Sequence, residues 1–416
     1  MTELQIASTV TLKCGLEVPN RLVKAALAER QADNYMPSKI SQELYKLWAD
    51  AGWGMVLTGN VQVDVRYTGS GADIAYDESV GREKLLEAWK AWADLYKGKE
   101  TKLIMQICHP GRQSMKGFGR RNLWSCTMAP SPIPLNLGTS WPAWAASRLV
   151  FGTPREMTHA DIAHVTRLFQ DTARMAHEAG FAGVELHGAH GYLMSQFLSS
   201  KGNVRTDEYG GTPAKRAKFV VDIIRAVREA VPASFCVGIK LNSVDHQSED
   251  DMAASLEQLR LITAAGVDFL EISGGDYENP LRFQMVNHQE NFPDEKSERT
   301  KAREAFFLEF AAKARTSFPD VPLMVTGGFR SRRGMEEAVA GGNCDLIGLG
   351  RPAVLNPALP ANVIFNREVK DQDAVLYRKR VSTAWIYKLL GIGRAVGAGA
   401  ESDWYALQLT KLVTGR

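Results

Sequence analysis

The stretch GVELHGAHGYLMSQFL, residues 183–198, opens as a short apolar run, breaks at two histidines and a tyrosine, and resumes as an apolar segment. A near-continuous apolar run reads as a strand buried on both faces, which is the signature of a parallel sheet. Seven more such runs lie at 21–28 (RLVKAALA), 54–61 (GMVLTGNV), 102–108 (KLIMQIC), 235–241 (FCVGIKL), 267–273 (VDFLEIS), 322–327 (PLMVTG) and 344–350 (CDLIGLG). Longer segments of helical character separate them. Thr158 with Asp161, and Ser248 with Asp251, have the spacing of a helix-capping box, and Thr212 followed by Pro213 offers a cap and a first-turn proline. Eight alternating units predict an α/β fold, a (β/α)8 TIM barrel of the kind that grows beyond ~250 residues by insertion.

Three regions exceed that repeat. Residues 1–20 read as an N-terminal hairpin closing the barrel's lower end. Residues 109–157, rich in proline and tryptophan, form a long insertion between the third strand and its helix, over the mouth. The tail suggests dividing the chain into a barrel over 1–360 and a helical C-terminal extension over 361–416, packed on the barrel or on a partner subunit.

The bulk numbers exclude several functions. A net charge of +3 from 50 basic and 47 acidic residues gives no field for nucleic acid. The N-terminus lacks the pattern of a signal peptide and no apolar stretch reaches ~18 residues, so a cytoplasmic chain with no membrane partner is expected. Cysteines 14, 108, 126, 236 and 344 never fall in C-x-x-C spacing, which argues against a disulfide framework or a zinc or iron-sulfur cluster.

In such barrels the chemistry sits at the C-terminal strand ends. His187 ends the fourth strand, with His190 and Tyr192 in its loop, so all three should enter the mouth. A metal site lacks an evident third ligand, and no metal is expected. Two neutral imidazoles can donate to one oxygen while a phenol protonates a neighbouring carbon, which suits reduction of a C=C bond conjugated to a carbonyl. The loops after strands seven and eight, TGGFRS (326–331) and GLGRPA (348–353), supply glycines, a helix start and Arg351, a phosphate cradle. GLGRPA also matches a dinucleotide-binding turn, but too little chain follows it for that domain. A hydride source bearing a phosphate points to FMN.

These stretches resemble the Old Yellow Enzyme family of FMN-dependent ene-reductases. HGAHGYLMSQFLSS with NVRTDEYGGTPAKR carries the likeness, which runs from about Val10 to about Asn356 through NRLVKAALAE, TGNVQV, MQICHPGRQ, APS, EISGGDYE, TGGFR and GLGRP. The resemblance implies that His187 and His190 hold the substrate carbonyl and that Tyr192 donates the proton. It implies that Gln106 meets the flavin pyrimidine edge and that Lys240 sits by N(1) and O(2). Asn60 and the Ala25, Ala26 and Ala28 stretch would line the ring, with Gly327, Gly328, Gly350 and Arg351 at the phosphate. NADPH or NADH would supply hydride, in ping-pong order, to a small α,β-unsaturated substrate; a homo-oligomer is allowed for. The chain departs from many members at Ala26, Ala28 and Lys240, where proline, threonine or cysteine, and arginine are common; a lower flavin potential is expected from Ala28. Three rival readings stand beside this one. They are a flavin-dependent dehydrogenase or oxidase on the same site, a flavin-free phosphate-binding lyase or isomerase using Lys240 as an imine-forming amine, and a non-catalytic FMN-binding scaffold.

Overall fold

The computed structural model describes residues 4–138, 140–242, 249–273, 310–379, 381 and 393–415. All eight runs contribute a strand: β1 (Leu22–Lys24), β2 (Met55–Leu57), β3 (Lys102–Cys108), β4 (Gly183–Gly188), β5 (Cys236–Asn242), β6 (Phe269–Ser273), β7 (Leu323–Thr326) and β8 (Leu346–Leu349). Every neighbouring pair is parallel, and Ile347 of β8 pairs with Leu22 of β1, which closes the barrel. The first two strands are shorter than their apolar runs. Beyond Lys24 and Leu57 the chain leaves the ladder for the mouth, although the Ala25 amide still donates to Leu349 O (3.1 Å).

Helices wrap the barrel with the expected caps. Thr158 and Asp161 form a reciprocal capping box on His159–Ala179, and Thr212 caps Pro213–Ala230 by accepting from the Lys215 amide. Each such cap satisfies amides that a helix start leaves unpaired, about 1 kcal/mol apiece. Ser248 of the third capping pair lies outside the described residues.

The lower barrel interior is apolar. Val23, Met55, Ile104, Cys236, Phe269, Met324 and Leu346 form one cluster, sealed by Leu12 and Val18 of the N-terminal hairpin. Gly238 on β5 has no side chain because a Cβ there would overlap the Phe269 ring of β6. In the 109–157 insertion, Ser140 caps a helix over Trp141–Val150, and Met128–Ala129 pairs with Arg155–Glu156. A final helix, Gly393–Thr414, lies against the β1 and β8 loops: Arg30 pairs with Asp403, Arg351 with Glu401, and Gln31 Nε2 donates to Ala406 O (2.9 Å). The tail stretch 382–392 lies outside the described residues. Among those described, no helix is long and apolar enough to cross a membrane.

Candidate active site

Strand alternation carries the interior from apolar to polar within two residues. On β4 the inward positions run Gly183, Glu185, His187; on β5, Cys236, Gly238, Lys240; on β6, Phe269, Glu271, Ser273. A bonded belt crosses these inward positions, from Glu185 through Glu271 to Lys240. Gln106 Nε2 donates to Glu185 Oε2 (2.6 Å), and Lys240 Nζ pairs with Glu271 Oε1 (2.7 Å). All four side chains are buried. Burial, with Glu271 beside it, pushes the Glu185 carboxyl well up. Burial, the largest single influence, raises Glu271 too, but the Lys240 charge and hydrogen bonds with Glu185, Lys240 and Thr326 together outweigh it and hold that carboxyl below its ordinary value. The two shifts run in opposite directions, so the proton is favoured on Glu185 and the negative charge on Glu271, beside the Lys240 ammonium.

Above the belt stand the two histidines. The Ala189 amide donates to His187 Nδ1 (3.4 Å), which leaves the His187 hydrogen on Nε2, facing His190 Nδ1 at 3.3 Å. His190 then carries its own hydrogen on Nε2, 3.2 Å from Ser273 Oγ. Both rings thus present an Nε2 hydrogen. Burial and the Lys240 charge hold His187 well below the usual histidine range; burial, His187 and Lys240 do the same for His190. They are neutral donors at physiological pH. His190 reaches its place through a left-handed backbone (φ 59°), a conformation that costs a non-glycine residue energy, and its amide is held by Asn242 Oδ1 (3.0 Å).

Tyr192 stands at the start of the short helix Leu193–Leu198 without capping it by its side chain, its ring centroid 4.7 Å from that of His187. Its hydroxyl accepts from Asn60 Nδ2 (3.1 Å). The structure thus brings together His187, His190, Tyr192 and Asn60, with Gln106 and Lys240 in the layer beneath. Ala25 is buried, and Ala26 and Ala28 are half-buried, on the loop leaving β1. Gly327 and Gly328 take positive φ (103° and 91°), and the Gly327 amide reaches Gly348 O (3.4 Å), which ties the β7 loop to strand β8. Gly350 packs on Leu27 of the β1 loop. Arg351 lies at the same edge, ion-paired with Glu401, in a helix of only five residues, Arg351–Leu355, whose dipole is correspondingly small.

These residues fit a flavin phosphate: a Cβ at Gly327 would meet nothing within 4 Å, so backbone there is open to close approach, and Arg351 supplies a guanidinium at the end of the adjacent strand β8. A buried ammonium, Lys240, among polar side chains fits the anionic edge of a reduced flavin.

Sequence reading passed over several groups. Glu185 and Glu271 are charges inside apolar runs, on the same alternation as His187, and that placement was the available signal. Lys24 is fully buried, pairs with Glu29 and stacks 4.3 Å from the Trp48 ring, while Tyr45 donates to Glu29 Oε2 (2.7 Å). Among the described residues, Cys14, Cys236 and Asp268 form a group with metal-ligand spacing, but they lie at the barrel's lower end and Asp268 is ion-paired with Arg228.

A profile of the NADH:flavin oxidoreductase / NADH oxidase family matches residues 9–370. An NADH-dependent flavin oxidoreductase of Neonectria sp. (strain DH2) is 49% identical over 413 residues, covering 97% of this chain and 54% of that protein, so the chain spans about half that relative's length. One of Talaromyces variabilis is 46% identical over 420 residues and covers 100% of both chains. The solved structure of morphinone reductase superposes with a TM-score of 0.67 at 21% identity, over 86% of this chain and 89% of that one, a likeness of fold. With the profile spanning the whole barrel and relatives matching along the full chain, this protein belongs to the NADH:flavin oxidoreductase / NADH oxidase family, the Old Yellow Enzyme family its sequence resembles.

Proposed function

We propose that the chain reduces activated C=C bonds, those of an enone, enal or quinone, with hydride drawn from NADH or NADPH. FMN, when bound, supplies the two-electron chemistry, accepting hydride from the nicotinamide and yielding it to the β-carbon of the substrate. Gly327, Gly328, Gly350 and Arg351 hold its phosphate, Arg351 sharing its charge with Glu401. Ala25, Ala26, Ala28 and Asn60 flank the ring, and Gln106 and Lys240 meet its pyrimidine edge. Glu271 keeps Lys240 in place there, and the proton on Glu185 prevents a second negative charge from cancelling the ammonium.

The observation that carries this reading is the convergence of His187, His190 and Tyr192 above Lys240. A substrate carbonyl oxygen takes the Nε2 hydrogen of His187 in place of His190 Nδ1, and that of His190 in place of Ser273 Oγ. Donors of this kind contribute about 10²–10³-fold each when charge develops on the oxygen. Tyr192 gives its proton to the α-carbon. The relatives named as NADH-dependent support NADH as the donor. The ion pair of Lys240 with Glu271 speaks against imine chemistry, because an ammonium so held offers no lone pair to a carbonyl.

The same reading takes residues 1–360 as the catalytic barrel and 361–416 as an extension bracing its mouth, in a cytoplasmic chain whose partner is a small molecule. Its test is the anaerobic visible spectrum of the FMN-loaded protein. NADH bleaches it and an enone restores it. A flavin that NADH reduces but that only oxygen restores would replace this reading with an oxidase.

A further inference from the structure

Tyr192 is held by a loop that belongs to another strand, β2, two places round the barrel from β4. Asn60, just past β2, donates to its hydroxyl, 132 positions away in sequence. Gly69, farther along the same loop, lies against that hydroxyl as well: a Cβ there would stand 3.1 Å from Tyr192 Oη and 3.1 Å from Asp73 Oδ2. Gly69 is not among the residues with positive φ, so its lack of a side chain answers to space and not to backbone conformation.

The loop itself is rigidly built. The buried Asp73 carboxylate accepts from the Gly69 amide (2.9 Å), the Ser70 amide (3.1 Å), Ser70 Oγ (2.6 Å) and Gln62 Nε2 (2.8 Å). Gln62 is fixed in turn, since it pairs with Ala75 in a short parallel ladder that hangs on β3. The chain of support runs from the barrel strand to Gln62, to Asp73, to the Gly69 backbone and so to the phenol.

We infer that Asn60 and Gly69 are positioning residues for Tyr192, setting both the place and the acidity of its hydroxyl. The inference rests on the reading of Tyr192 as proton donor. An amide N–H donated to the phenol oxygen does not draw on the phenol's own hydrogen, and it stabilises the oxyanion that remains once the proton has gone to the α-carbon. The two electrons enter with the hydride at the β-carbon, and water reprotonates the tyrosinate. Gly69 keeps the oxygen from being pushed aside, and a displacement of well under 1 Å matters because misplacement of about 1 Å costs on the order of 10²-fold.

The test uses the FMN-loaded full chain and measures both half-reactions by stopped flow, as functions of pH, for wild type, Gly69→Ala, Asn60→Leu and Asn60→Asp. The expected result for Gly69→Ala is a fall of about tenfold or more in the ratio of oxidative to reductive rate constants. Removing the donor in Asn60→Leu makes the phenol less acidic, so the alkaline limb of the oxidative half-reaction moves to higher pH. Asn60→Asp moves it further, since a carboxylate repels the tyrosinate. A ratio and an alkaline limb unchanged in all three variants, with wild type turning over normally, would overturn the positioning role alone. Loss of both half-reactions in equal measure would mark these residues as merely structural. A wild-type flavin that NADH does not reduce would take down the underlying reading and this inference with it.

Discussion

On β6, Phe269 faces the closed end of the barrel interior and Glu271, two residues on, faces the same interior toward the mouth. Phe269 sits among Val23, Met55, Ile104, Cys236, Met324 and Leu346, where shape alone decides what fits. Glu271 sits in a belt with Gln106, Glu185 and Lys240, where each charge must find a counter-charge or a proton. One strand thus serves stability and chemistry in alternate layers. The contrast teaches that the mouth's electrostatics rest on an apolar, buried floor, and that the two can be perturbed separately.

The largest effect should come from the floor. Phe269→Ala empties a ring-sized volume that Gly238 cannot fill and should cost about 3–5 kcal/mol of stability. Chemical unfolding would show the loss, while the flavin absorption of the folded fraction stays unchanged. A shifted flavin spectrum would mean that the layers are not separable.

The belt sharpens the comparison from the other side. Glu271→Ala strands a buried ammonium and should cost about 3–5 kcal/mol. The double change Lys240→Met with Glu271→Leu removes both charges and should recover most of that stability, while flavin reduction by NADH slows. Recovery of stability together with full activity would show that the ion pair has no electrostatic role.

A smaller effect follows from the histidines. His187 and His190 stay neutral in the fold, and burial takes His109 to about 4, whereas an unfolded chain protonates all three near about 6.5. Their folded pKa values are lowered, so the unfolded state binds more protons as pH falls below about 6.5. The contribution to stability is present above that pH and lost beneath it. Thermal midpoints measured from pH 7 to pH 5 should therefore fall, with a shallower slope in His109→Asn. A midpoint that rises toward pH 5 would contradict the burial of these rings.

How much of this was legible follows from the same layering. The eight strands announced themselves because strands covered on both faces read as unbroken apolar runs, and His187, His190 and Tyr192 stood out where one such run ends. Lys240 was legible as a charge at the end of FCVGIKL. Glu185 and Glu271 carried an equal signal inside GVELH and VDFLEIS, yet a lone acid in a strand declares no partner until β4 and β6 are set beside β5. Asn60 could be placed near the mouth, but its bond to Tyr192, like the pressure of Gly69 on that hydroxyl, arises only when the barrel closes. The short β1 and β2 were overestimated, since composition continues past the point where the ladder ends.

The most direct test of the whole account is stopped-flow kinetics of Tyr192→Phe in its two half-reactions. The account predicts near-normal flavin reduction by NADH and a loss of about 10²–10⁴-fold in flavin reoxidation by an enone, because only the second step needs a proton from the phenol. Equal losses in both halves, or none in either, would contradict it.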